Sequence, residues 1–164
     1  MDFQTPDWVT HRMCDLVEGS PASILEPTPG EGKMVKVLQN RFPDSLVLYP
    51  KTDYWTFREN GPQFKPDLII ANPPFSPMKE GYRFLFDFMA ITDRVISIMP
   101  WYVNQSVRRT KSILQYGMKR MVFLPRSVFR NCRTNCCVLD LQRGYRGTVE
   151  WVYWETPCTA RPLL

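Results

Sequence analysis

One stretch constrains the chain more than any other: Asp67-Leu68-Ile69-Ile70-Ala71-Asn72-Pro73-Pro74-Phe75. An apolar run of strand length, preceded by Pro66-Asp67 and followed by two prolines, reads as one buried strand that stops at Asn72. The prolines lack N–H groups and have a fixed φ, so they cannot extend a ladder. They hold Asn72 and its neighbouring carbonyls in a set geometry just past the strand's carboxyl end. Open α/β sheets bind ligands at that end.

Asn, Pro, Pro and Phe in this order suit one chemistry. The exocyclic amine of adenine is a poor nucleophile, because its lone pair is delocalised into the ring. Two acceptors aimed at its hydrogens, the Asn72 side-chain oxygen and the Pro73 carbonyl, would favour the tetrahedral, more nucleophilic nitrogen, and neither has to be a strong base. The Asn72 N–H groups are left to reach a ring nitrogen or the cofactor side, and Phe75 offers a flat apolar face for stacking an extruded base. A strand that simply runs into a Pro-Pro turn is the structural alternative, and the rest of the chain must decide between the two.

The surroundings suit a ligand-binding α/β domain. Ala22-Ser23-Ile24-Leu25, the turn Glu26-Pro27-Thr28-Pro29-Gly30-Glu31-Gly32, and a helix from Lys33 to Phe42 make a first βα unit of a doubly wound, mostly parallel sheet. Glycines in that turn let the backbone approach a ligand closely, and free N–H groups at the helix start would face a carboxylate. Thr5 is placed to cap an amphipathic first helix, with Pro6 at its first position. Ser45–Tyr49 is the second strand. The residues from Lys51 to Gln63 are too few for a helix and a further strand, so Tyr54-Trp55-Thr56-Phe57 reads as a short edge strand or an aromatic cover.

Ser76–Glu80 reads as a flexible loop, and Gly81–Ile91 as a helix with Phe84, Leu85, Phe88 and Met89 on its core face. Arg94–Pro100 is a buried strand, and Val107–Tyr116 a basic helix whose Arg108 and Arg109 are either a solvated face or a phosphate contact. Lys119–Leu124 and an antiparallel Thr134–Leu141 follow. Val149–Trp154 is a last strand or an exposed apolar ribbon, a candidate partner surface.

Composition narrows the class. A length of 164 residues is one domain, 1–164, without room for a separate recognition domain. The net charge of +5 suits a polyanionic partner. No apolar run approaches a membrane span and Met1-Asp2-Phe3 lacks signal-peptide character, so the expectation is a cytoplasmic protein with no membrane association. Five cysteines, including the adjacent Cys136-Cys137, argue for reduced thiols, and with one histidine far off in sequence they make no metal site.

Asn72-Pro73-Pro74-Phe75 resembles the N-P-P-[FYW] signature of S-adenosylmethionine-dependent amino-methyltransferases, chiefly DNA N6-adenine methyltransferases. The same tetrapeptide type occurs in some RNA adenine and protein glutamine methyltransferases. Glu26–Gly32 resembles the family's [DE]-P-x-x-G-x-G cofactor loop, with Pro29 where a small residue is commoner, and Phe3-Gln4-Thr5-Pro6 resembles the segment that lines the methionine end of the cofactor. These motifs stand in the family's order between Phe3 and Gln142.

The resemblance implies a class I, Rossmann-like methyltransferase domain with an antiparallel hairpin strand. Its activity would be transfer of a methyl group from S-adenosylmethionine to the N6 amine of adenine, in DNA ahead of RNA. Asn72, Pro73, Pro74 and Phe75 would be catalytic. Thr5, Glu26, Pro27, Gly30, Gly32 and Asn72 would hold the cofactor, and Phe75, Arg108, Arg109, Phe129 and Arg133 the substrate. The second strand departs from the pattern: Tyr49-Pro50-Lys51-Thr52-Asp53 lacks the acidic residue expected at its end. Asp53 either supplies that carboxylate to the cofactor or approaches the adenine amine. A partner subunit could supply sequence recognition. The competing readings are an RNA adenine methyltransferase, a non-catalytic binding subunit that keeps the fold, and a protein glutamine methyltransferase.

Overall fold

The computed structural model describes residues 4–61, 64–129, 132 and 134–157. Among these, seven strands form one sheet in the order β2-β1-β3-β4-β6-β5-β7: β1 Ser23–Leu25, β2 Leu46–Leu48, β3 Leu68–Ala71, β4 Arg94–Pro100, β5 Met118–Phe123, β6 Cys136–Gln142 and β7 Glu150–Tyr153. The first four are mutually parallel. β6 runs antiparallel to both β4 and β5, and β7 returns parallel to β5. The helices are α1 Asp7–Cys14, α2 Lys33–Arg41, α3 Tyr54–Asn60, α4 Met78–Ile91 and α5 Val107–Tyr116.

Strand alternation divides the core in two. Leu25, Ile69, Val95 and Met99 face α3, α4 and α5 through Tyr54, Phe84, Phe88 and Ile113. Ile24, Leu68, Ile70, Ile96 and Ile98 face α1 and α2 through Val9, Met13, Met34 and Leu38. Period-two patterning on strands buried on both faces yields this continuous apolar run, which is what Leu68–Ala71 shows: all four residues are buried.

Because β2 lies on one side of β1 and β3 on the other, the chain reverses direction at β1, and a crevice opens beyond the carboxyl ends of β1 and β3. At the opposite end Asp67 clamps the two strands. Its Oδ2 accepts from the Ser23 N–H (2.9 Å) and hydroxyl (3.2 Å), while its own N–H donates to Ser23 Oγ (3.1 Å).

Three expectations are corrected. Tyr54–Phe57 is neither an edge strand nor a loose cover but the start of α3, because the Asp53 carboxylate accepts from the N–H groups of Trp55 (3.0 Å) and Thr56 (3.1 Å) and so caps a helix short enough for the space. Thr5 caps nothing; Pro6 holds the position before α1, where no side chain caps, and Thr5 is buried. The segment after the prolines is shorter than expected, since α4 already begins at Met78 and Gly81 lies inside it. Cys14, Cys132, Cys136 and Cys137 are free, buried thiols, and among the described residues no helix is long and apolar enough to cross a membrane.

Candidate active site

Two hollows that share lining residues lie at the carboxyl end of β1 and β3. The larger is a cleft of ≈ 820 Å³, within the usual range for small-molecule sites. The loop after β1 forms one wall with Pro27 to Gly30, the loop after β2 another with Pro50 to Asp53, and Asn72 to Ser76 a third; Tyr54, Trp55 and Phe84 supply the aromatic floor. The smaller is a chamber of ≈ 40 Å³ lined by Gln4, Thr5, Glu26 and Met34, together with Thr28, Pro29, Gly30 and Asn72, which it shares with the cleft. Asn72 therefore stands where the two meet.

The glycine loop is built by positive φ. Gly30 (φ +52) and Gly32 (φ +77) adopt conformations that side chains disfavour, and the Gly32 N–H closes the turn on Pro29 O (2.7 Å) before starting α2. A Cβ at Gly30 would sit 2.5 Å from Gln4 Nε2, the mobile end of a side chain that could turn aside, so the positive φ rather than this contact is what favours glycine here.

Glu26 is 1% exposed. Its Oε1 accepts from the Thr28 N–H (2.8 Å) and hydroxyl (3.3 Å), yet burial outweighs those bonds and pushes the carboxyl up to about 7. Glu26 lines a chamber too small for more than a compact group, and its carboxylate form would pair with a cationic ammonium there. Asp53 is the opposite case: the hydroxyl and N–H of Thr56 hold its carboxyl below the ordinary range, and it is exposed at the cleft wall.

The aromatic floor is braced from behind. The Tyr54 hydroxyl donates to Asp87 Oδ2, to which Arg58 Nε also donates (2.8 Å), tying α3 to α4. Trp55 packs against Phe84 (ring centroids 4.9 Å apart), with the Arg83 guanidinium 3.7 Å over the indole.

Of the residues singled out from sequence, Asn72, Pro73, Pro74, Phe75, Pro27, Gly30 and Asp53 line the cleft, and Thr5 and Glu26 the chamber. Gly32 shapes the loop without lining either. Arg108 and Arg109 are not brought to the cleft: they are exposed on α5, where the Arg109 guanidinium lies 4.0 Å over the Tyr82 ring. Phe129 is 8% exposed and packs in the core on the α1 side with Val122, Val138 and Trp154, so it is not part of the cleft wall. Arg133 lies outside the described residues.

Sequence reasoning placed Phe84 in the core rather than at the cleft, gave Lys51 and Gln4 no individual role, and read Gly81 only as the start of a helix. Gly81 had a signal, a glycine inside an apolar helical run. A Cβ there would stand 2.6 Å from Phe75 Cβ and 3.1 Å from Phe75 Cα, so its absence is what lets α4 press against the Asn-Pro-Pro-Phe loop.

No protein-family model and no curated protein matches the chain. Solved structures do. The chain resembles a modification subunit of a candidate type I restriction enzyme from Vibrio vulnificus at 17% identity and a TM-score of 0.73, over 97% of this chain and 48% of that one. It resembles a candidate class I S-adenosylmethionine-dependent methyltransferase from Listeria monocytogenes at 14% identity and a TM-score of 0.72, over 92% and 65%. The fold is that of the class I methyltransferases. A candidate RNA methyltransferase from Pyrococcus horikoshii matches less closely in shape, with 15% identity and a TM-score of 0.55, but over 87% of both chains. This class I methyltransferase fold thus spans about half to two thirds of the length of the first two structures.

Proposed function

We propose that the protein transfers a methyl group from S-adenosylmethionine to the N6 amine of adenine in nucleic acid, with DNA as the first substrate to test. The observation that carries this reading is the position of Asn72, at the end of β3 on the wall shared by the chamber and the cleft. A donor seated on the glycine loop and an amine presented from the cleft would meet there.

The chain's own residues fit such a donor. Glu26 would take an ammonium in the chamber beside Thr5, the backbone of Gly30 and Gly32 would admit a carboxylate at the start of α2, and Asp53 would receive ribose hydroxyls at the end of β2. When bound, S-adenosylmethionine supplies an electrophilic methyl carbon on a sulfonium. Asn72 Oδ1 and the Pro73 carbonyl accept from the two amine hydrogens and turn the nitrogen lone pair toward that carbon. With that donor bound, its methyl group would pass to the nitrogen, the C–S electron pair would remain on sulfur, and the nitrogen would release one proton to solvent. Phe75 stacks on the base. Orientation, rather than proton abstraction, provides most of the acceleration.

RNA is the second reading: a candidate RNA methyltransferase shares the fold over 87% of both chains, while the chain spans 48% of the type I modification subunit. A partner subunit that supplies sequence recognition belongs to the DNA reading. Incubation with labelled S-adenosylmethionine and duplex DNA, single-stranded DNA, RNA or protein separates these. Asn72→Ala should remove most transfer while leaving the fold and cofactor affinity nearly intact; undiminished turnover by that variant rejects the mechanism, and label in protein alone rejects the substrate class.

A further inference from the structure

We infer that the edge of β7, unpaired among the described residues, is a self-complementary docking surface, and that two copies of this chain pair through it, antiparallel about a two-fold axis at Val152, to join their sheets. The inference is independent of the methyl-transfer reading.

The backbone decides which groups the edge offers. Trp154 N–H donates to Phe123 O (3.1 Å), in a parallel ladder where Phe123 faces Tyr153. Alternation along a strand then turns the N–H and C=O groups of Val152 and Trp154 toward β5, and those of Trp151 and Tyr153 outward. If Trp151 of one copy faces Tyr153 of the other, each such pair exchanges two N–H···O bonds. The two-fold axis repeats the pair, and Val152 meets its own copy between them. The register is self-consistent because 151 and 153 are equidistant from 152.

The side chains agree. Trp151 and Tyr153 are 65% and 60% exposed and share the face on which Trp151 stacks against Phe123 (5.5 Å, 23° between planes). Pairing sets each copy's tryptophan against the other's tyrosine, a favoured cross-strand combination. The strand's single charge, Glu150, is engaged by Arg120 Nε at 2.8 Å, and within Glu150–Tyr153 there is no proline or lysine. The other edge of the sheet does not compete. Leu46 N–H donates to Ala22 O and Leu48 O accepts from Glu26 N–H, the residues flanking β1, so within β2 only Val47 faces outward, and Pro50 follows soon after.

Area sets the strength. An aromatic side chain buries about 150–250 Å² when fully covered, so four partly exposed rings supply roughly 400–600 Å². That is short of the ~1,200–2,000 Å² of a stable complex, and the pairing is therefore a weak, concentration-dependent dimer.

Sedimentation of the full chain across a hundredfold concentration range should show the mass rising from 19.3 kDa toward twice that value. The double variant Trp151→Lys/Tyr153→Lys should remain monomeric and still unfold cooperatively, its melting temperature lowered only by loss of the Trp151–Phe123 stack. Val152→Cys places two thiols about 4.5 Å apart at Cα, within disulfide reach, and should give a covalent dimer on mild oxidation well beyond that of the unaltered chain. A monomer at every concentration, association that survives the double lysine variant, growth past the dimer, or no excess cross-linking by Val152→Cys would each overturn the inference.

Discussion

Replacing Gly81 by alanine sets two effects of known size against each other. In an ordinary helix interior the change stabilises by about 1 kcal/mol, because alanine loses less backbone entropy. Here the added Cβ would stand 2.6 Å from Phe75 Cβ and 3.1 Å from Phe75 Cα, with Met99 Cε at 3.6 Å. Carbon atoms rest at about 3.5–4.0 Å, so the loop must retreat by about 1 Å. Overpacking of this kind costs about 1–3 kcal/mol, leaving the variant between neutral and about 2 kcal/mol less stable. The functional effect should be larger. Phe75 and Asn72 sit on one short proline-stiffened segment, and a 1 Å misplacement of a positioning group can lower a rate about 10²-fold. Thermal unfolding, cofactor binding by calorimetry and single-turnover methyl transfer should together show a small stability change, near-normal cofactor affinity and a rate loss of that order. Full activity together with a raised melting temperature would mean that the contact between α4 and the Asn-Pro-Pro-Phe loop does not position the site.

Other substitutions separate the remaining roles. Glu26 is raised from 4.5 to about 7 by burial, so its folded-state advantage is complete below about 4.5 and disappears as pH rises through about 7; at 1.36 kcal/mol per unit this is about 3 kcal/mol. Ligand-free wild type should therefore lose stability relative to Glu26→Gln between pH 5 and 8, and pH-independent melting differences would contradict the burial argument. Asp53→Asn preserves a capping side chain while removing charge, so unchanged melting with weakened S-adenosylmethionine binding is expected if Asp53 receives the ribose; unchanged binding limits it to the cap. Asp87→Ala strips partners from both the Tyr54 hydroxyl and Arg58 and should destabilise by about 1–3 kcal/mol, with a double-mutant cycle against Tyr54→Phe showing non-additivity; additive losses would mean that the two residues are not coupled.

What was legible in the sequence was what depends on local backbone chemistry. Prolines at 73 and 74 end a strand wherever it lies, and glycines at 30 and 32 mark positive φ in their own turn, so β1, β3 and the crevice between them followed from composition at single positions. The α3 segment was not legible, because Tyr54, Trp55, Thr56 and Phe57 all favour strands slightly, and the deciding factor was a cap from Asp53 on two N–H groups. Arg109 and Phe129 failed for a different reason. Their side chains are of the right type for a nucleic-acid contact, but where a side chain points depends on packing across elements, here Tyr82 under one and the α1-side core around the other.

Gly81 joins the two classes. Helix propensity disfavours glycine at the fourth residue of a fourteen-residue helix, so its presence there needs a neighbour that excludes a methyl group, and that neighbour is Phe75, six residues earlier. A proline-stiffened loop cannot by itself fix the direction of Asn72 relative to the sheet, since its far end would swing. Pressing Phe75 against a helix with no side chain at the contact pins that end. The tetrapeptide and the glycine together therefore form the minimal unit that holds the site's geometry, and a variant that keeps Asn72 but fills position 81 distinguishes chemistry from placement.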